Sequence, residues 1–147
     1  MFKHILIPTD GSALSEAAIR AGVELARTVG ARVTGFFAAP APTPLIYGDL
    51  MPVGYMPPDQ HEALIKKAAE HHLGVIEAAA RAAGVPVSCI SVTSEYPADS
   101  IVKIATKRGC DLIFMASHGR RGLTGILLGS ETQKVLTHSS VPVLVFR

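Results

Sequence analysis

The chain has 147 residues, 14 Lys and Arg against 12 Asp and Glu, and 48% hydrophobic residues. That hydrophobicity with a net charge of only +2 excludes a disordered chain, and the weak basic excess argues against a nucleic-acid binder. Three Tyr, five Phe and no Trp also argue against a base-stacking surface, leaving one compact domain over residues 1–147 with an aliphatic, Ala-rich core.

The first apolar run, His4–Ile7, reads as a strand ending in the turn Pro8-Thr9-Asp10-Gly11-Ser12, with Ser12 placed to cap the next helix. From Ala13 to Val29, Leu14, Ala17, Ala18, Ala21 and Leu25 recur at helical spacing, and Gly30 stops the helix. Arg32–Ala38 is a second strand. A helix between two apolar strands is a βαβ unit, so these strands should be parallel with a right-handed crossover.

Residues 39–58 break the pattern. Six of the ten prolines fall here (Pro40, Pro42, Pro44, Pro52, Pro57 and Pro58), which excludes a regular helix or a central strand. The segment is nonetheless oily, with Leu45, Ile46, Tyr47, Leu50, Met51, Val53, Tyr55 and Met56. A lid or partner surface is expected of it, because such a loop left in water is a liability.

Asp59–Ala83 reads as the longest helix, with Leu64, Ala68, Ile76, Ala79 and Ala83 near one face, Gly74 as a weak point and Gly84 as the stop. Val87–Thr93 alternates in polarity, as an edge strand does. Pro97–Lys107 is a short helix with Ile101, Val102 and Ala105 inward. Asp111–Ser117 is a buried strand, Ser130–Thr137 a helix, and Val141–Phe146 the last strand. Five strands alternating with four helices give an α/β fold, a parallel sheet covered on both faces. Ligands in such sheets bind beyond the carboxyl ends of the strands, which directs attention to Thr9–Ser12, Ala38 onward and Ser117–Gly129.

The loop after the fourth strand suits an anion. Gly119, Gly122, Gly125 and Gly129 let backbone N–H groups approach closely, and the helix starting at Ser130 adds partial positive charge. Ser130 and Thr132 bring hydroxyls, and His118, Arg120 and Arg121 bring charge; the competing reading is a loop whose glycines merely serve turns. No Gly-Lys pair exists, so a P-loop is excluded, and neither GxGxxG after strand one nor GxSxG is present.

The wider spacing resembles the universal stress protein family along the whole chain from Lys3 to Phe146. Nucleotide-binding members carry G-x2-G-x9-G-[ST] after the fourth strand; here Gly119 is followed by nine residues and then Gly129-Ser130, while the first glycine falls on Ala116. ILIPTDGS at the start and SSVPVLVF at the end resemble the family's first and last strands. The resemblance implies a three-layer, doubly wound, Rossmann-like sheet in strand order 3-2-1-4-5. It also implies an ATP site, with or without Mg2+, around Pro8, Thr9, Asp10, Ala38, Met115, Ala116, Ser117, His118, Gly119, Arg120, Gly129, Ser130, Glu131 and Thr132. Within it, Asp10 would meet ribose hydroxyls or a metal ion, although a turn role beside Gly11 is the competing reading. The backbone of Ala38 would meet the adenine edge, and Gly119, Gly129, Ser130 and Thr132 would hold phosphates with Arg120 nearby. Glu131 would offer only its backbone N–H. An alanine at 116 costs about 1–2 kcal/mol if the family glycine needs φ > 0, and weakens binding by one methyl group if it only permits close approach.

No catalytic residue is assigned, since Asp10, His118 and Arg120 have no evident partner for orienting a water at a γ-phosphate. No metal site is expected: His71 and His72 are adjacent on a helix and His61 lies apart, so these His should pack or face solvent. His4 should be structural. Cys89 and Cys110 show no CxxC spacing and should be buried, reduced thiols. The apolar run before Pro8 is too short for a signal peptide, and no span of about 18 apolar residues occurs, so a cytoplasmic protein without a membrane partner is expected. A last strand apolar on both faces invites pairing, and the resemblance implies a homodimer through residues 141–146. The expected function is therefore an ATP-binding sensor or signalling module in stress response, acting on an unidentified protein partner with little or no hydrolysis. A nucleotide-free dimeric interaction protein and a slow ATPase are the alternatives.

Overall fold

A computed structural model describes residues 1–41, 56–119 and 128–147. The elements follow in the order β1 (His4–Thr9), α1 (Ala13–Val29), β2 (Arg32–Ala39), α2 (Pro58–Ala82), β3 (Val87–Thr93), α3 (Pro97–Arg108), β4 (Leu112–Ala116), α4 (Ser130–His138) and β5 (Val143–Phe146). All strand pairs are parallel, and the order across the sheet is β3-β2-β1-β4-β5. β1 is central and buried at all six positions.

The two faces of the sheet carry separate cores. Ile5, Ile7, Val33, Leu112 and Phe114 meet Ala18, Ile19 and Val23 of α1 and Ile76 and Ala80 of α2. On the other face Leu6, Phe36, Ile113 and Met115 meet Ala98, Ile101, Ile104 and Ala105 of α3 and Val135 of α4. Each fully buried aliphatic side chain contributes about 1.5–3 kcal/mol relative to exposure.

Helix starts and stops follow local chemistry. Ser12 Oγ accepts from Ser15 N at 3.2 Å, capping α1 as its sequence suggests. Gly30 and Gly109 end α1 and α3 in the left-handed conformation, which costs glycine nothing.

Several expectations shift by a residue or a face. α1 buries Ser15, Ala18, Ile19, Gly22, Val23 and Ala26, so Leu14, Ala21 and Leu25 lie at the margin rather than the centre. The cause is a close approach of helix to sheet: a Cβ on Gly22 would lie 2.9 Å from Ile7 Cδ1 and 3.0 Å from Phe114 Cδ1. Small residues therefore form the inner stripe. α2 buries Ala69, Ile76 and Ala80, while Leu64 is 51% exposed. Strand β2 extends through Ala39, which pairs with Thr93, so the break after it begins one residue later than residues 39–58 suggested. At its other end Pro58 opens α2, where a proline needs no intrahelical bond. Residues 42–55 of the break, including Leu45, Ile46, Tyr47, Leu50, Met51, Val53 and Tyr55, lie outside the described residues, and with them the expected lid or partner surface. Among the described residues, no helix is long and apolar enough to cross a membrane.

Cys110 is buried, but Cys89 is only partly so; both are free thiols. Burial pushes each up to about 11, Cys89 and Cys110 alike. His4 is buried at the start of β1, its Nε2 2.7 Å from Thr34 Oγ1.

Candidate functional site

The strand order reverses between β1 and β4, where the chain leaves β1 toward β2 on one side and β4 toward β5 on the other. A crevice at that switch point is where open parallel sheets receive ligands. Its walls here are the turn after β1, the segment after β4 and the start of α4.

The turn after β1 is pinned by its own side chains. Gly11 N donates to Thr9 Oγ1 at 3.1 Å, and Ser12 N donates to Asp10 Oδ1 at 3.0 Å. Ser15 Oγ donates to Thr9 Oγ1 at 2.9 Å, so Thr9 is occupied inside the fold. Gly11 has φ 76, a conformation that disfavours any side chain. The Asp10 carboxylate, with one oxygen committed to Ser12 N, sits against Gly119: a side chain at 119 would overlap Asp10 Oδ2. Two segments far apart in sequence, and both expected at the site, are thus in direct contact.

The segment after β4 is anchored on both sides. Ser117 N donates to Phe146 O at 2.7 Å, continuing the β4–β5 ladder by one residue. Gly129 N donates to Ser117 O, also at 2.7 Å, which brings the N-cap of α4 back to the end of the strand. A Cβ on Gly129 would lie 3.1 Å from His118 Cα, a tight approach between backbones. Thr132 is 3% exposed and its Oγ1 donates to Ala116 O at 3.1 Å, so this hydroxyl locks α4 to β4. Ser117 Oγ lies 3.2 Å from His118 Nδ1. Beyond these anchors, the first N–H groups of α4 have no acceptor within their own helix and leave partial positive charge at Ser130.

Ala116 ends β4 in extended backbone, so the strain considered for it from a left-handed glycine position does not arise. Pro8 and Met115 lie within strands β1 and β4 and are buried, leaving their backbone as what they can present. Ala38 stands on β2 opposite Val92, partly buried, and Ala39 O beside it accepts from Ser94 N at 2.8 Å. Arg120 and Arg121 lie outside the described residues.

Two residues acquire roles that their sequence context did not signal. The Glu131 carboxylate is taken up by protein partners: Oε2 accepts from Ala98 N at 2.9 Å and Oε1 from Lys134 Nζ at 2.9 Å. That partner raises the Lys134 ammonium above its ordinary value. His72 of α2 reaches the turn after β1, where a side chain on Gly11 would overlap its imidazole. Neither contact follows from helical periodicity, because each joins elements distant in sequence. Among the described residues, no group of three or more His, Cys, Asp or Glu stands ready to hold a metal ion.

The sequence model of the universal stress protein family matches residues 1–147. The chain belongs to that family. A curated member, universal stress protein MJ0531 of Methanocaldococcus jannaschii, is 30% identical over 151 residues, covering 100% of this chain and 83% of its own length. Among solved structures, the hypothetical protein MJ0577 is 29% identical with a TM-score of 0.74, covering 99% of this chain and 95% of that one. The Archaeoglobus fulgidus universal stress protein, solved in complex with dAMP, shares the fold at 18% identity and a TM-score of 0.68, covering 100% and 98% of the two chains.

Proposed function

We propose that this protein binds an adenine nucleotide, ATP in the first instance, and acts as a nucleotide-responsive sensor or signalling module with little or no hydrolysis. The observation that carries the reading is the contact of Gly119 with the Asp10 carboxylate beside the start of α4. It sets a ribose- or metal-seeking carboxylate next to a glycine-lined, N–H-rich helix start at the sheet's switch point. Family membership and the dAMP complex of a relative of the same fold support the choice of an adenine nucleotide.

On this reading Asp10 meets the ribose hydroxyls or an accompanying Mg2+, the backbone near Ala38 borders the base, and Gly119, Gly129 and Ser130 border the phosphates. Thr9, Thr132 and Glu131 hold the walls rather than the ligand, since their side chains are bonded within the fold. Hydrolysis would need a group to orient a water at the γ-phosphate, and no residue is assigned that role.

Calorimetry with Mg-ATP on the wild type and on Gly129→Val tests the proposal. Micromolar affinity lost in the variant supports it; millimolar or undetectable wild-type affinity sinks it. The valine adds bulk where even a single Cβ lies 3.1 Å from His118 Cα.

A homodimer through the last strand is the second reading. β5 is an edge strand, and Leu144 on it is 37% exposed, so an apolar ladder is open to a second copy. Light scattering that gives a monomer at micromolar concentration would remove it.

A further inference from the structure

α2 touches the proposed ligand turn from outside the βα unit to which that turn belongs, through His72. Three imidazole atoms, Cε1, Nδ1 and Nε2, stand where a Cβ on Gly11 would be, the farthest of them 2.7 Å from that position. The ring therefore lies flat against the backbone of residue 11. Phe37 of β2 lies 5.2 Å from it, centroid to centroid and tilted by 51°, and His71 lies 5.3 Å away edge-on. Phe37 is itself buried in a small cluster with Ala39 and Ala69, so the imidazole touches both a fixed aromatic ring and the turn.

The turn it meets is the one that carries Asp10. Among the bonds that hold that turn are Gly11 N to Thr9 Oγ1 and Ser12 N to Asp10 Oδ1. Displacement of Gly11 would disturb both, and the second is a bond to the carboxylate itself. Glycine at 11 thus meets two separate demands, a positive φ and a surface on which an aromatic ring can rest.

We infer that His72 is a positioning residue: by packing on Gly11 it fixes the turn that presents Asp10, and so couples the placement of α2 to the ligand crevice. The consequence for nucleotide affinity rests on the proposed function, whereas the consequence for the turn does not.

The test uses the full chain with His72→Ala, Gly11→Ala and the double variant. Amide hydrogen exchange at Gly11 and Ser12 reads the turn without any ligand, and Mg-ATP calorimetry reads the crevice. His72→Ala is expected to lose exchange protection at those two amides while α1 and β1 keep theirs. Its affinity for Mg-ATP should fall about tenfold, the equivalent of one modest contact. Gly11→Ala should be less damaging in the His72→Ala background than in the wild type, because the ring that a methyl would strike is gone. Unchanged protection in His72→Ala, or strictly additive effects in the double variant, would overturn the inference. A wild type that binds no Mg-ATP but loses protection on His72→Ala would overturn the nucleotide reading and leave the positioning role standing.

Discussion

Glu131 of α4 caps α3: its Oε2 accepts from Ala98 N at 2.9 Å, and α3 has no side-chain cap of its own at Tyr96. A carboxylate at a helix N-terminus satisfies an orphan donor and opposes the helix dipole. Because Glu131 is the second residue of α4, the helix that borders the proposed phosphate site also secures its neighbour. Glu131→Ala should cost about 1 kcal/mol, and Glu131→Gln less, since its amide oxygen can still accept. Thermal denaturation should show the order wild type, Gln, Ala.

Gly119→Ala separates ligand binding from folding. The added methyl overlaps Asp10 Oδ2, so the carboxylate must move. Gly119 itself is exposed, so stability should change by less than about 1 kcal/mol. Nucleotide affinity should fall at least about tenfold, the factor that about 1.4 kcal/mol represents. Parallel calorimetry and melting curves decide it, and equal affinity in the two proteins would place the ligand away from Asp10.

His4 gives stability a pH dependence of definite sign. Burial is the main cause that lowers its pKa, with the Arg32 charge second, while Asp111 opposes both. A folded-state pKa below the unfolded value means that the unfolded chain takes up the proton first as pH falls. The neutral ring's contribution is therefore complete above about pH 6.5 and is lost as pH falls through the interval below it, down to the folded pKa. Melting temperature followed from pH 7.5 to 5 should decline, and His4→Gln should flatten that part of the decline.

The two thiols should be slow to react. With both pushed up to about 11, chiefly by burial, only about one molecule in a thousand carries either thiolate at pH 8. Iodoacetamide at that pH should label native protein far more slowly than protein in guanidinium. Cys89 lines a groove between α2 and β3 with Ala69 and Leu73, and rapid native labelling confined to it would mean that this groove opens.

The α/β alternation was legible because βαβ units write their period into the sequence, and the edge position of β3 followed from its mixed polarity. That of β5, apolar on both faces, came with the family resemblance. The inner face of α1 was misplaced by periodicity alone. Periodicity found Ala18, but close packing set Ser15 and Gly22 beside it at the centre and left Leu14 and Leu25 at the margin. The same limit applied to the site. Asp10, Gly119, Gly129 and Ser130 could be picked out by type and spacing near strand ends. The tasks of Glu131, Thr132 and His72 depend on contacts between elements, which no local pattern encodes. Ala116, a departure from the family's glycine, is accommodated because β4 is still extended there.

Gly129 N bonded to Ser117 O joins two residues that eleven others separate in sequence and makes a fixed neck there. Thr132 on Ala116 O and Ser117 N on Phe146 O tie that neck to α4 and β5. The end of β4, the start of α4 and the edge strand β5 are thereby tied at one point, so losing any of the three bonds should loosen all three elements together.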